Sequence, residues 1–454
     1  MNRLRVMMVL ICFAGIPSIG FLQTNKNTFT FQEALDYALK NHVKSANAVL
    51  DIEKSKHIVN ENIGQGLLQV NGNAQYNYNI DPPVFVFPNV FGPVPDPNSF
   101  TTIKAAPLNS MNMSATASLL VFSGQYFVGI QTANAFLEMT KQQKVKSDIE
   151  VKEQVAKAYY MVLIAQESEK LIDSTFQIVS RTLFETQQLN KEGLVEELDA
   201  EQIQLVYYNV SDARNQVKQA KELALMALKF QMGYPVSQQI SLSDDLKQLL
   251  SNSGFEGLTS TLTESIDVRT SIDYQLIAQK LKIDKFQVKL QKMAALPTLS
   301  TFFNVGGNFF NNQRWLFLGD GTVSNLNGVI WGFNLQVPIF SSWSRVSKLK
   351  QLKIEVQKTQ RTQQNVEQAL QLSYKSSKTS VIDNYKRFLT ASKSFELAEK
   401  IRKVNGIKYK EGLVSSLALS QAEQQYFDNQ QKYFQAVFEL LNSKIQLDKS
   451  LNKF

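Results

Sequence analysis

Five residues, Lys191-Glu192-Gly193-Leu194-Val195, recur verbatim 219 positions later as Lys410-Glu411-Gly412-Leu413-Val414. The match continues downstream, pairing Leu198 with Leu417, Gln202 with Gln421, Tyr207 with Tyr426, Gln216 with Gln435 and Leu228 with Leu447. Upstream, Val121-Phe122-Ser123 matches Ile339-Phe340-Ser341 at an offset of 218, and Val43-Lys44-Ser45 matches Val268-Arg269-Thr270 at 225. The drifting offset places insertions between the matching pieces. A chain of 454 residues would otherwise suggest about three domains. The repeat replaces that expectation with two copies of one unit, residues 21–240 and 241–454.

Each copy reads as helix, strand, loop, strand, very long helix, turn, helix. In the first copy a helix is expected from Phe31 to about Ile63, opened by the Thr30 and Glu33 pattern of a capping box. Residues 67–78 then alternate, with Leu68, Val70, Gly72, Ala74, Tyr76 and Tyr78 opposite Gln69, Asn71, Asn73, Gln75 and Asn77. Period two over such a length is a strand. Residues 79–110, with seven of the chain's 11 prolines, read as a loop, and 111–121 alternate again. The second copy repeats the pattern over 297–310 and 329–337. There Leu299, Phe303, Val305, Phe309, Val329, Trp331, Phe333, Leu335 and Val337 oppose Asn304, Asn308, Asn334 and Gln336.

A soluble sandwich strand would carry Lys, Glu or Arg on its wet face, and none occurs at these positions. One face is apolar and the other is small and uncharged, over a length that crosses a bilayer at a tilt. Tyr76, Tyr78, Phe309 and Trp331 sit near strand ends, where an aromatic girdle belongs. The pattern predicts a transmembrane β-barrel, with Asn71, Asn73, Asn304 and Asn334 facing a lumen.

The N-terminus agrees. Arg3 and Arg5 precede the apolar run Val6 to Ala14, and Gly15-Ile16-Pro17 breaks it before the small residues Ser18 and Gly20. Residues 1–20 therefore read as a secretory signal peptide. Its removal takes the single Cys, Cys12, with it. That leaves no disulfide framework and no cysteine metal site. The two histidines, His42 and His57, lack metal spacing and read as helix-surface residues. Lys and Arg exceed Asp and Glu by eight, but they are scattered, so no nucleic-acid partner is expected.

After each second strand the chain turns helical without a proline. Residues 124–190 and 344–409 are each long enough for about 100 Å of helix. Their apolar residues recur at three- and four-residue spacing, as coiled-coil or bundle packing requires. Gly193 and Gly412 end these helices at positions suited to a left-handed cap. Return helices follow over 197–232 and 417–451. Lys348, Lys350 and Lys353 read as a solvated helix face near the inner leaflet.

Four strands cannot close, and open edges in hydrocarbon leave backbone groups unpaired. Known barrels begin at about eight strands. Two chains would supply eight, with an interior filled by side chains. Three would supply twelve, with room for a channel.

The duplicated order resembles the outer-membrane efflux proteins of the TolC type over nearly the whole mature chain. The carriers are Phe29-Thr30-Phe31-Gln32-Glu33-Ala34-Leu35-Asp36-Tyr37-Ala38-Leu39, the turns Glu192-Gly193-Leu194-Val195 and Tyr409 to Val414, and Ile266-Asp267-Val268-Arg269. The resemblance implies a membrane α+β fold. A homotrimer would share one twelve-stranded barrel, four strands per chain, continued by a long periplasmic helical tunnel. It implies a passive exit duct of a tripartite efflux or type I secretion system. Its partners would be outer-membrane lipid, a periplasmic adaptor, and an inner-membrane pump of RND or ABC type. The Lys191–Val195 and Lys410–Val414 turns would meet the adaptor.

The chain also departs from the pattern. The family's best-studied member has Asp six and nine residues after the second-copy glycine, where this chain has Ala418 and Gln421. It has Arg where this chain has Val414. Asp199 and Tyr409 do match, so the resemblance rests any tip gate on them.

Simpler roles exist for these residues. Glu196, Glu197 and Asp199 suit the first turn of a helix on electrostatic grounds alone. The Leu-Val pairs could be hairpin staples. No Walker loop, nucleophile elbow, HExxH or paired catalytic carboxylate occurs, so no enzyme, cofactor or metal is expected. A secreted coiled-coil scaffold would explain the helices and leave the charge-free strands unexplained. A porin-like protein would not need helices that outnumber its strand residues.

Overall fold

The computed structural model describes residues 27–453 apart from 90–95, 105, 248–249, 251–266, 313–322 and 325–327. The expected signal peptide, with Cys12, lies outside the described residues. In chain order the elements begin with β1 (Thr28–Phe29), α1 (Phe31–Asn41), α2 (Val43–Gly64), β2 (Gln69–Tyr78), β3 (Val84–Asn89), β4 (Asp96–Lys104) and β5 (Asn109–Phe122). There follow α3 (Gly124–Lys191), α4 (Glu197–Met232), β6 (Ser241–Leu242), α5 (Ile272–Met293), β7 (Thr298–Asn311), β8 (Val323–Ser324), β9 (Gly328–Gln336), α6 (Ser344–Lys410) and α7 (Ser416–Ser450).

Two local expectations are corrected. The helix expected from Phe31 to Ile63 is two helices. The backbone extends at His42, whose Nδ1 accepts from the Lys44 amide at 3.1 Å and so caps α2. His42 is therefore a capping residue, not a plain surface one. Gly233, at φ +69°, packs so closely that a Cβ there would lie 2.6 Å from the Asn41 carbonyl oxygen. The capping box at Thr30 and Glu33 does form. The loop expected over 79–110 instead contains the antiparallel hairpin β3–β4, pairing Phe85 with Ile103 and Phe87 with Thr101. Valine and phenylalanine at 84–87 favour extended backbone despite the surrounding prolines.

The long strands β2, β5, β7 and β9 form an antiparallel sheet in that order, with β8 pairing the far end of β7. Among the described residues, β2 pairs only with β5 and β9 only with β7, so each has an unpaired edge within the chain. Register sorts the side chains by face. Val70, Ala117, Phe303 and Trp331 form one row across all four strands. Val70 is 68% exposed and Trp331 67%. The opposite face carries Asn71, Thr116 and Asn304 in one row and Gln75, Asn112 and Asn308 in another.

The helices form two antiparallel hairpins, α3 with α4 and α6 with α7. Asp173 pairs with Arg214 and Glu169 with Lys221, so positions descend on one helix as they ascend on the other. Glu423 lies beside Arg402 and Glu439 near Arg387 in the same sense. At 68 and 67 residues, α3 and α6 each span about 100 Å. Toward the sheet, α2 and α5 flank α3. Ser55 bonds Thr140, and Gln279 donates to the Ala135 carbonyl at 2.8 Å.

The largest core among the described residues lies midway along α3, at the end of α4. Val151, Val155, Tyr159 and Val162 of α3 meet Leu228 and Met232 of α4, Val437 and Leu441 of α7, and Phe29, Leu35 and Ala38 of the N-terminal segment. Tyr159 is fully buried. Its hydroxyl donates to Asp244 at 2.8 Å, and burial followed by the nearby Asp244 carboxylate raises its pKa. Asp244 also accepts from the Phe31 amide, so this core fixes the start of α1. Among the described residues no helix is long and apolar enough to cross a membrane.

Candidate functional site

The two hairpin turns share one backbone solution. At the end of α3 the Gly193 amide donates to the Asn190 carbonyl and the Leu194 amide to Leu189, at 2.9 Å each. At the end of α6, Gly412 donates to Tyr409 at 3.0 Å and Leu413 to Lys408 at 2.8 Å. Both are Schellman caps, and Gly193 and Gly412 stand at φ +73° and +71°, where only glycine is unstrained. The cap turns the following leucine outward, leaving Leu194 69% and Leu413 72% exposed. Asn190 Nδ2 braces the first turn on the Val195 carbonyl at 2.9 Å.

Among the described residues, four side-chain contacts join one hairpin to the other just inside these turns. The Thr186 and Tyr409 hydroxyls lie 3.2 Å apart, linking α3 to α6. Ser416, at the start of α7, sits between Asp199 and Gln202 of α4, its hydroxyl within hydrogen-bond reach of both. Lys410 reaches Glu185 at 3.0 Å. Thr186 and Ser416 are buried. Burial raises the Tyr409 pKa, and the Asp199 carboxylate adds to the rise against the Thr186 hydrogen bond. Lys410 and Arg181 together hold the Glu185 carboxyl below its ordinary value. Between the turns opens a cavity of about 960 Å³, lined by Asp199, Tyr409, Leu194, Leu413, Val195 and Val414 among others.

Deeper in the bundle a charged pair is enclosed. Arg402 of α6 donates to Thr175 of α3 at 3.0 Å and lies 4.2 Å above the Tyr426 ring of α7. Its guanidinium is 3.7 Å from Glu423 Oε2. That oxygen has no hydrogen bond, and burial raises the Glu423 pKa against the attraction of Arg402.

The sequence-predicted positions fall into two groups. Lys191, Glu192, Gly193, Leu194 and Val195 form one turn and Lys410, Glu411, Gly412, Leu413 and Val414 the other, with Asp199 and Tyr409 on the cavity between them. Asp199 and Tyr409 bond different partners, Ser416 and Thr186, and not each other. Asn71, Asn73, Asn304 and Asn334 lie far along the chain on the sheet, where Asn304 Nδ2 donates to Thr116 at 2.6 Å. Sequence reasoning missed Arg402, although it interrupts a seven-residue column of Tyr374, Val381, Phe388, Phe395 and Tyr409. A cation in such a column marks a buried polar contact. It also missed Ser416 and Thr186, whose partners come from the other copy.

Also unforeseen are Phe302 and Ile330 on the polar face of the sheet, set by their pairing with Gly332 and Asn304. The Phe302 ring covers Gly332 so closely that a Cβ there would lie 3.0 Å from it. Among the described residues no cluster of His, Cys, Asp and Glu could hold a metal ion.

No protein-family model matches the chain, and no curated protein matches it by sequence. Solved structures do match. The Campylobacter jejuni CmeC outer membrane channel superposes at a TM-score of 0.69 with 15% identity, covering 93% of this chain and 85% of that one. The open state of the Neisseria gonorrhoeae MtrE outer membrane channel gives 0.66 and 16%, covering 93% and 88%. The outer membrane protein VceC from Vibrio cholerae gives 0.65 and 13%, covering 93% and 95%. The chain therefore has the fold of outer-membrane channels over nearly its whole length, and these neighbours are channels rather than enzymes. The resemblance to the TolC type holds at the level of the fold.

Proposed function

We propose that this chain is the outer-membrane exit duct of a tripartite efflux or type I secretion system, a passive channel with no catalytic centre. The observation that carries this is the joining, in one chain, of a charge-free two-faced sheet with open edges to helical hairpins of about 100 Å. A sheet with unpaired edges is excluded from hydrocarbon, so copies must close it edge to edge. Three copies give twelve strands, enough for a water-filled lumen lined by Asn71, Asn73, Asn304 and Asn334. The apolar row of Val70, Phe303 and Trp331 then faces lipid.

The hairpins extend the lumen through the periplasm, and six turns of Lys-Glu-Gly-Leu-Val ring its far end. Exposed Leu194 and Leu413 offer a periplasmic adaptor an apolar seat, and the flanking Lys and Glu orient it. An inner-membrane pump of RND or ABC type supplies cargo and energy. The contacts at Asp199 and Tyr409 hold the tip narrow until the adaptor docks.

The test is fractionation followed by cross-linking in mild detergent. The protein should appear in the outer membrane as a three-chain species that heating dissociates. A monomer or dimer in a membrane extract that still conducts would overturn the trimer. A protein absent from the outer membrane would overturn the duct.

A further inference from the structure

The two copies differ sharply where helices meet the sheet. The Asp284 carboxylate accepts from Thr359 at 2.6 Å, which sets the antiparallel level of α5 against α6. Toward the sheet from there, residues 289–293 of α5 and 344–353 of α6 carry Lys289, Lys292, Arg345, Lys348, Lys350 and Lys353, with no Asp or Glu, while the paired Glu355 and Lys358 lie between this band and Thr359. Ser55 on Thr140 sets the same level for α2 against α3. There the matching stretch, residues 60–64 and 124–135, carries Glu61 and no cation. The duplication began both copies alike, so the charge belongs to this site and not to the helix pair as such.

Among the described residues none of these six cations has a carboxylate partner. Lys292, Lys348, Lys350 and Lys353 are exposed, Lys289 reaches only Gln131 Oε1 at 3.3 Å, and Arg345 only the Pro338 carbonyl at 3.3 Å. Elsewhere on these helices lysines find acids, as Lys280 finds Asp284 and Lys358 finds Glu355. The band on α6 spans ten residues, or about 15 Å, directly below the strands.

A second observation adjoins it. The link from β9 into α6 exposes Ile339 (92%), Phe340 (83%) and Trp343 (79%). Ser342 and Trp343 are held at φ 44° and 71°, in the left-handed region that bulky residues avoid. The matching entry to α3 is an ordinary cap in which Ser123 accepts from the Tyr126 amide. Only the second copy uses strained backbone to present an aromatic beside a cationic band. Tryptophan with flanking cations is the composition of a membrane–water interface.

We propose that this band is a binding site for the headgroups of anionic phospholipids in the periplasmic leaflet. Trp343 and Phe340 insert at the acyl boundary, and the lysines of α5 and α6 hold the phosphates. The proposal rests on the outer-membrane reading above. It adds a lipid-specific contact that fixes the depth of the sheet in the bilayer.

The test uses the full chain in phosphatidylcholine vesicles with and without phosphatidylglycerol, comparing wild type with a Lys348→Gln/Lys350→Gln/Lys353→Gln variant. Wild type should be more heat-resistant when phosphatidylglycerol is present and should retain it in native mass spectra, with the preference lost in high salt. Affinity for the anionic lipid should fall roughly fivefold per cation removed. The variant should insert and behave like wild type in phosphatidylcholine alone. Insertion with equal lipid preference in both proteins would overturn this proposal only. A variant with altered ion selectivity and unchanged lipid preference would place the lysines in the lumen and also overturn it. Failure of wild type to enter either bilayer would overturn the outer-membrane reading itself.

Discussion

Arg402 and Glu423 form a charged pair sealed inside the helical bundle, 7% and 5% exposed, at a separation of 3.7 Å. The distance is long for a hydrogen bond, and the attraction of Arg402 only partly offsets the desolvation of the carboxylate. Removing one partner strands the other. Arg402→Leu or Glu423→Leu should each destabilise by about 3–5 kcal/mol, and the double variant by much less than the two together. Because burial raises the Glu423 pKa, a carboxyl deprived of Arg402 accepts a proton more readily than in water. The Arg402→Leu penalty should therefore grow as pH rises through that raised value. Thermal melts of the three variants at acid and alkaline pH decide it. Additive penalties independent of pH would mean the pair is not coupled.

Glu153 shows the opposite sign. Burial pushes its carboxyl up, but Lys157 at 2.6 Å, Lys449 at 2.8 Å and Gln446 at 2.6 Å outweigh this and hold it at about 2. The folded value lies below the ordinary 4.5, so the stabilisation is present above that value and is lost as pH falls toward 2. Its size is roughly 3 kcal/mol. It ties α3 to the C-terminal turns of α7. Glu153→Gln should lower the melting temperature at pH 7, and the gap from wild type should close on acidification. A gap that stays constant with pH would leave the carboxylate no electrostatic role.

How much of this could be read beforehand depends on whether the cause is local. The long helices are legible because seven-residue columns run unbroken, such as Val151, Ala158, Ala165, Ile172, Val179 and Thr186 on α3. The strands are legible because alternation without charge has few alternatives. The break at His42 is not, because no proline or glycine stands there and the residue packed against it, Gly233, lies far along the chain. The tip contacts are illegible for the same reason. Ser416 and Asp199 are 217 residues apart, and nothing near either one announces the other. The β3–β4 hairpin was obscured by prolines that mark its ends and neighbours rather than forbidding it.

Register now sharpens the test of the two sheet faces. Val70, Ala117 and Phe303 share a row, as do Asn71, Thr116 and Asn304 on the reverse. Val70→Arg or Phe303→Arg should cost about 2–4 kcal/mol at mid-bilayer and reduce assembly. Asn73→Arg or Asn304→Arg should assemble and instead change single-channel conductance. Gly332→Ala should also be felt, because its Cβ would press on the Phe302 ring. Heat-modifiability of the assembled species reads the first effect and planar-bilayer recording the second. Equal damage from both faces would mean the polar face does not line water.

Among the described residues the turns are tied by four contacts that cross between hairpins: Thr186 with Tyr409, Ser416 with Asp199 and with Gln202, and Glu185 with Lys410. Each is a hydrogen bond or a half-exposed ion pair, worth about 0.5–3 kcal/mol. On the proposed function, a sum of this size would hold a resting geometry and still yield to a docking adaptor. Both glycine caps, by contrast, are needed to form the turns at all. Tyr409→Phe or Ser416→Ala, which keep the helices and remove one crossing hydroxyl, should raise the open fraction in planar bilayers while assembly is unchanged. Asp199→Ala should do the same, and the Asp199→Ala/Ser416→Ala pair should be less than additive because the two share one contact, Ser416 keeping a second with Gln202. If the chain is the trimeric duct proposed above, Gly412→Pro should abolish export while assembly persists, because proline cannot adopt the positive φ of the cap. Wild-type conductance in all the crossing-contact variants would leave Asp199 and Tyr409 as helix-end packing residues and place the constriction elsewhere.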